Sequence, residues 1–411
     1  MDKKLADQLF FSKEAAEYLG ITPQRLNVLI KEGKIEPLKK NSSGTIFHID
    51  ELEKRKKEMM IFSKVNLEAV GMFQFDNKTK REALNFAILM NVLDKTEQSL
   101  DEPFSEFAKM IDTTELMSES AMIGKYASFF NVSEQSLLNE FERAYKAFSN
   151  LMSDDEIVGR DGHDYPELLR KTQQAPRYLF LRGNKSLLFE KRTVALVGSR
   201  QASDRAKENT RRLVNVLGKN GITIVSGLAK GIDVTAHKAA LERGYNTIAV
   251  IGTNLNQYYP AENRDVQKEI EQKGLVVSQF SPASETKRWF FPLRNGVMSG
   301  LSLATVVMEA GETSGALKQA DYALKQNRQV MIPQSALEME SISWPARYQK
   351  RGAHVVHTAN DVLRILAEKN IYIRNNSEMQ YSISETRSQS KDISYNNDQE
   401  TDWLELDDIG G

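Results

Sequence analysis

Two short segments carry residue types that could grip a phosphate. Val194-Ala195-Leu196-Val197 runs into Gly198-Ser199-Arg200, and Ile222-Thr223-Ile224-Val225 runs into Ser226-Gly227-Leu228-Ala229-Lys230-Gly231-Ile232-Asp233. In each case an apolar run stops at a small residue and a helix-forming stretch follows, so backbone N–H groups and a helix N-terminus would face whatever binds at the strand's end. Gly198, Gly227 and Gly231 let the backbone approach closely, Arg200 adds a forked cation matched to phosphate oxygens, and Lys230 adds a second charge. A third segment, Lys287-Arg288-Trp289-Phe290-Phe291-Pro292-Leu293-Arg294-Asn295, alternates charge with flat rings. Cations can track a phosphate backbone while aromatic faces stack on unpaired bases without demanding a sequence. The chemistry on offer is capture of a single-stranded polyanion. Each loop alone also suits an ordinary turn, since the GxGxxG dinucleotide pattern is missing, and each aromatic alone also suits a core.

Other reactive residue types do not assemble. His237 lies one turn after Asp233 on the same expected helix, which suits a structural histidine and a helix-capping aspartate better than an acid–base pair. The chain has no cysteine, which removes thiolate nucleophiles and Cys-ligated metals, and its five histidines are scattered. No catalytic residue, metal site or cofactor is expected. Lys plus Arg (55) nearly equals Asp plus Glu (56), so a nucleic-acid site must be a local patch. The charged opening Met1-Asp2-Lys3-Lys4 and the absence of a run of about 20 apolar residues predict a cytoplasmic protein without a membrane span.

The elements that would position these segments follow from hydrophobic spacing. Between about 155 and 368 six short apolar runs, Val194–Val197, Ile222–Val225, Thr247–Ile251, Leu275–Val277, Ala304–Met308 and Gln329–Ile332, alternate with amphipathic helices. Continuous apolar runs suit strands buried on both faces, so a Rossmann-like, doubly wound and mostly parallel α/β domain is predicted. Residues 61–152 carry apolar side chains at helical spacing and predict a helical connector. After about 372 the chain is polar, and 372–411 is expected to be a disordered acidic tail. Its end, Asp402-Trp403-Leu404-Glu405-Leu406-Asp407-Asp408-Ile409, suggests a segment that mimics nucleic acid or docks on a partner.

Residues 8–58 predict a separate small domain. Ala15, Ala16 and Leu19 face one way on a first helix stopped at Gly20, and Thr22-Pro23 restarts a second that carries Leu26, Leu29 and Ile30. A basic hairpin over 38–49 and a further helix from Asp50 complete a pattern similar to the winged helix-turn-helix of MerR and phage excisionase proteins. That resemblance implies duplex DNA contacts from Gln24, Arg25 and Asn27 in the major groove and from Lys39 and Lys40 on phosphates. Some such modules serve protein contacts instead.

The ordered series in the α/β region carries a second resemblance. Asp164-Tyr165-Pro166, Ala175-Pro176 and Gly183 come first. Gly198-Ser199-Arg200, Ser226 to Asp233 with Ala236-His237, and Tyr259-Pro260-Ala261-Glu262-Asn263 follow. Phe291-Pro292-Leu293-Arg294-Asn295 with Ser299-Gly300-Leu301-Ser302, and Glu309 with Ser314-Gly315, complete it. The set resembles the DprA/Smf family over about half the chain. The resemblance implies a Rossmann-like domain that binds single-stranded DNA in a basic pocket, forms a homodimer and helps load a RecA-type recombinase. It implies phosphate contacts from Ser199, Arg200, Lys230 and the Arg288–Arg294 segment. Gly296, Ser278-Gln279, Pro333-Gln334 and Ala316 to Ala320 depart from the usual family pattern and mark a divergent branch. Two rivals remain: a nucleotide-binding or nucleotide-cleaving enzyme using the same loops, and a helix-turn-helix transcription regulator.

Overall fold

The computed structural model describes residues 8–56, 73–116 and 123–368, apart from positions 20, 32, 42, 43, 112, 114, 115 and 340. The chain divides into two units between Ser153 and Asp154. The expected acidic tail and the first part of the expected connector, 61–72, lie outside the described residues.

In the first unit, β1 (Leu9–Phe11), β2 (Lys39–Asn41) and β3 (Gly44–His48) form an antiparallel sheet in the order β1-β3-β2. Helices Ser12–Leu19 and Pro23–Lys31 bury Ala15, Ala16, Leu19, Leu26 and Leu29 in a core closed by Ile35, Phe47 and Leu52. Pro23 starts the second helix, where its missing N–H costs no bond. Beyond the helix end, Gly33 sits at φ +67° and the Lys34 N–H returns to the Leu29 carbonyl at 2.8 Å. Helices Lys78–Val92, Glu97–Lys109, Ile123–Phe130 and Glu134–Phe148 follow. Asn77, Thr96 and Ser133 cap three of them by accepting the N–H of Lys80, Ser99 and Ser136. Leu84, Phe86 and Ala87, and later Leu137, Leu138, Phe141 and Phe148, are buried at the helical period.

The second unit is built on a nine-stranded sheet, counted among the described residues, in the order β12-β11-β10-β6-β7-β8-β9-β5-β4. Six strands coincide with the apolar runs: β6 (Thr193–Gly198), β7 (Thr223–Ser226), β8 (Thr247–Val250), β9 (Leu275–Ser278), β10 (Ala304–Glu309) and β11 (Gln329–Pro333). These and β12 (His354–Val356) are parallel, whereas β5 (Tyr178–Gly183) pairs antiparallel with β9, and β4 (Glu156–Gly159) antiparallel with β5. Successive residues of each strand feed opposite cores. Ala195, Val197 and Val225 join Val297, Met298 and Leu317 on one face, while Val194, Leu196 and Ile224 join Leu213, Val214, Leu217 and Val362 on the other. Each buried leucine contributes roughly 1.5–3 kcal/mol, which is why the helix Asp204–Lys219 keeps that stripe turned inward.

From β6 the chain winds one way through β7, β8 and β9, and from β10 the other way through β11 and β12. The strand order reverses between β6 and β10. In open α/β sheets the loops beyond the strands' carboxyl ends at such a reversal line the ligand crevice.

Candidate nucleic-acid interface

The loop after β6 starts at Gly198, where a methyl group would strike the Ile232 side chain and the Glu309 carbonyl. The Ser199 N–H donates to that carbonyl at 2.7 Å. The Glu309 carboxylate then accepts the Ser203 N–H at 3.0 Å and the Ser203 hydroxyl at 2.6 Å. Ser203 caps the helix Asp204–Lys219. Two amides that the sequence assigns to an incoming phosphate are therefore engaged within the protein. What the loop offers outward is the half-exposed Ser199 and the exposed Arg200 side chain.

The loop after β7 packs directly on the first. Gly231 sits at φ +73°, and a methyl there would run into the Ser199 and Arg200 carbonyls, so only glycine lets the two loops meet. The Asn263 amide donates to the Leu228 carbonyl at 2.9 Å and holds the loop from below. Lys230 is exposed and pairs with Glu262 at 2.6 Å, both side chains 53% accessible. Asp233 does not cap its own helix, Ile232–Glu242. It lies buried in the first turn and accepts the Ala229 N–H at 3.4 Å, tying the loop to the helix, with burial raising its pKa. His237 is fully buried. Its Nδ1 lies 2.7 Å from the Thr247 hydroxyl, which in turn donates to the Ile224 carbonyl at 3.1 Å. Burial pushes its pKa down to about 3, and the neutral ring serves as a fastener between helix and β8.

The third segment divides by exposure. Lys287, Arg288 and Trp289 are exposed, with the Lys287 ammonium 5.1 Å from the Trp289 ring centre. Phe290 stacks on Phe280 at 3.9 Å and 3° and is committed to packing. Phe291 is half-buried against Gly252 and meets Tyr259 at 5.0 Å. Tyr259 is 52% exposed. It was not among the site residues read from the sequence, where only its place in the Tyr259-Pro260 motif marked it. Arg294 and Asn295 depart from the expected surface role. They fall on the inward side of the helix Phe290–Gly300, 5% and 8% exposed. The Arg294 guanidinium donates to the Val250 carbonyl and lies against Gly227, and the Asn295 amide donates to the Gly315 carbonyl at 3.4 Å. Burial lowers the Arg294 pKa to about 10, with Asp233 opposing and Arg200 adding to the shift.

In the first unit, Gln24 and Asn27 are exposed on the helix Pro23–Lys31, and Lys39 and Lys40 are exposed on β2. The side chain of Arg25 lies outside the description. Among the described residues, no acidic, histidine or cysteine group is arranged to hold a metal, and no helix is long and apolar enough to cross a membrane.

Cationic and aromatic side chains at the carboxyl ends of a doubly wound sheet define a Rossmann-like protein equipped for a polyanion. Residues 156–367, just over half the chain, match the family model described as DNA recombination-mediator protein A, and the chain belongs to that family. It is 38% identical to DNA processing protein DprA of Streptococcus pneumoniae over 237 residues, 57% of this chain and 79% of that protein. The corresponding figures for DNA processing protein DprA of Bacillus subtilis are 30% over 240 residues, 57% and 81%. The X-ray structure of the S. pneumoniae protein superposes with a TM-score of 0.52 at 29% identity, covering 70% of this chain and 95% of that one.

Proposed function

We propose that this protein binds single-stranded DNA along the carboxyl edge of its sheet and acts, without catalysis, in DNA processing for recombination. The observation that carries the reading is one continuous chemistry on neighbouring loops. Arg200 and Lys230 are exposed on two loops in contact, and the third segment presents Lys287 and Arg288 beside Trp289, with Phe291 and Tyr259 paired next to it. Cations that can track a phosphate backbone, flanked by ring faces on which any base can stack, suit an unpaired strand of any sequence. Family membership supports a role in recombination, and with it loading of a RecA-type recombinase by a homodimer. Gln24, Arg25, Asn27, Lys39 and Lys40 suit duplex DNA in the manner of a winged helix-turn-helix, adding a second, double-stranded contact.

The nucleotide-enzyme alternative requires the N-terminus of the helix Asp204–Lys219 to receive a phosphate. The Glu309 carboxylate already takes the Ser203 N–H there and would repel a second anion. Fluorescence anisotropy with labelled single-stranded and duplex oligonucleotides over a series of salt concentrations tests the proposal. Tight, sequence-tolerant single-strand binding that weakens steeply with salt is expected. Tighter binding to one duplex sequence than to any single strand, or turnover of a nucleoside monophosphate, would overturn it.

A further inference from the structure

Arg294 touches three parts of the candidate interface and reaches solvent at none. It projects from the helix Phe290–Gly300, one turn after Phe291. Its guanidinium donates to the carbonyl of Val250, the last residue of β8, and lies where a side chain at Gly227 would have to be, at the start of the second loop. Two residues beyond Val250, Gly252 supports the ring of Phe291. Asp233, which holds the Ala229 N–H in that same loop, faces the guanidinium electrostatically, and Arg200 of the first loop adds a like charge. The Arg294 Nε is buried without a hydrogen-bond partner. A buried cation with an unmet donor is costly, and an apolar side chain of similar volume would generally pack there at no loss of stability. The residue's value therefore lies in the geometry it imposes. It sets the spacing between the loop that carries Lys230 and the helix that presents Phe291 and Trp289.

Resting on the single-strand reading, we propose that Arg294 is a positioning residue of the interface, which aligns the second loop with the aromatic helix and contacts no phosphate. The two roles separate in the salt dependence. A cation that neutralises a phosphate releases counterions, and its loss lowers the slope of log affinity against log salt by about 0.7 for single strands. A positioning residue weakens binding and leaves the slope unchanged.

The test compares the full-length parent, Arg294→Met, Gly227→Ala and, as the direct-contact control, Arg200→Ala, using a labelled oligothymidylate over a salt series. Arg294→Met should weaken binding about tenfold, the scale of coupling between residues in contact, with the parent's slope. Gly227→Ala keeps the charge and puts a methyl group into the guanidinium's place. It should weaken binding in the same way, and it serves alone if Arg294→Met does not fold. Parental affinity in either folded variant, or a slope reduced by Arg294→Met as by Arg200→Ala, overturns the proposal. Hydrogen exchange without DNA gives an independent reading. Amides of 227–231 and 251–253 should exchange faster together in the variants, and unchanged exchange overturns the coupling even if the parent fails to bind single strands, a failure that belongs to the functional reading.

Discussion

Single side chains at this edge have distinct tasks. Lys230 is shared with Glu262 through an exposed pair, which solvent leaves worth only a fraction of a kcal/mol to about 1 kcal/mol. A phosphate can replace that carboxylate. Glu262→Gln should therefore tighten single-strand binding roughly two- to fivefold at low salt, an effect that anisotropy would show fading as salt rises. Unchanged affinity at low salt would mean that Lys230 does not meet the strand. His237 makes a pH prediction. Its pKa is near 3 when folded, because burial disfavours the cation, and about 6.5 in an unfolded chain. The unfolded state alone takes up the proton as pH drops below about 6.5, so this histidine's contribution to stability is complete above that value and is lost progressively toward pH 3. The loss is about 1.4 kcal/mol per pH unit, or roughly 2 kcal/mol at pH 5. Urea unfolding between pH 4 and 7 should show His237→Gln with a shallower decline than the parent, by one proton's worth.

At the scale of elements, loops and strands are joined by polar fasteners as much as by apolar faces. Arg182 on β5 donates to both Asp155 oxygens, at 2.7 and 2.6 Å, and to the Leu255 carbonyl at 3.0 Å. Arg182 and Asp155 side chains are 4% and 1% exposed. The pair fastens the antiparallel margin of the sheet to the segment after β8, which leads to Tyr259. Asp155→Ala leaves a buried guanidinium short of its partner and should cost about 3–5 kcal/mol, measurable as a lowered denaturation midpoint. A loss under about 1 kcal/mol would show that the neighbouring Glu271 takes over. Strands β6 to β11 were legible because a parallel strand buried on both faces leaves a continuous apolar run. Strands β4 and β5 were not read, although β5 is as apolar. It carries Arg182 and runs antiparallel, and direction within a sheet leaves no mark on composition. Strand β12, three residues long, is too short for any period to show.

For the whole molecule, the two proposed DNA contacts fall on separate units of the chain. Removing residues 1–60 should abolish any preference for tailed over plain single strands in mobility shifts while preserving oligothymidylate affinity. Equal binding of both DNAs by the intact chain would remove the duplex role proposed for Gln24, Arg25, Asn27, Lys39 and Lys40. The sequence by itself determined the α/β class, the order along the chain of the six strands from β6 to β11, the glycines and cations at two strand ends, and the family, because periodicity and motif order are written in the chain and survive any packing. Only the tertiary structure decided which of those groups face solvent. Arg200 and Arg294 are the same residue type in two motifs of one series, yet one projects from a loop and the other is buried on the inward side of its helix. Exposure depends on what lies across the fold. At Arg294 that is Gly227 and Val250, 67 and 44 positions away, and no local pattern carries that information.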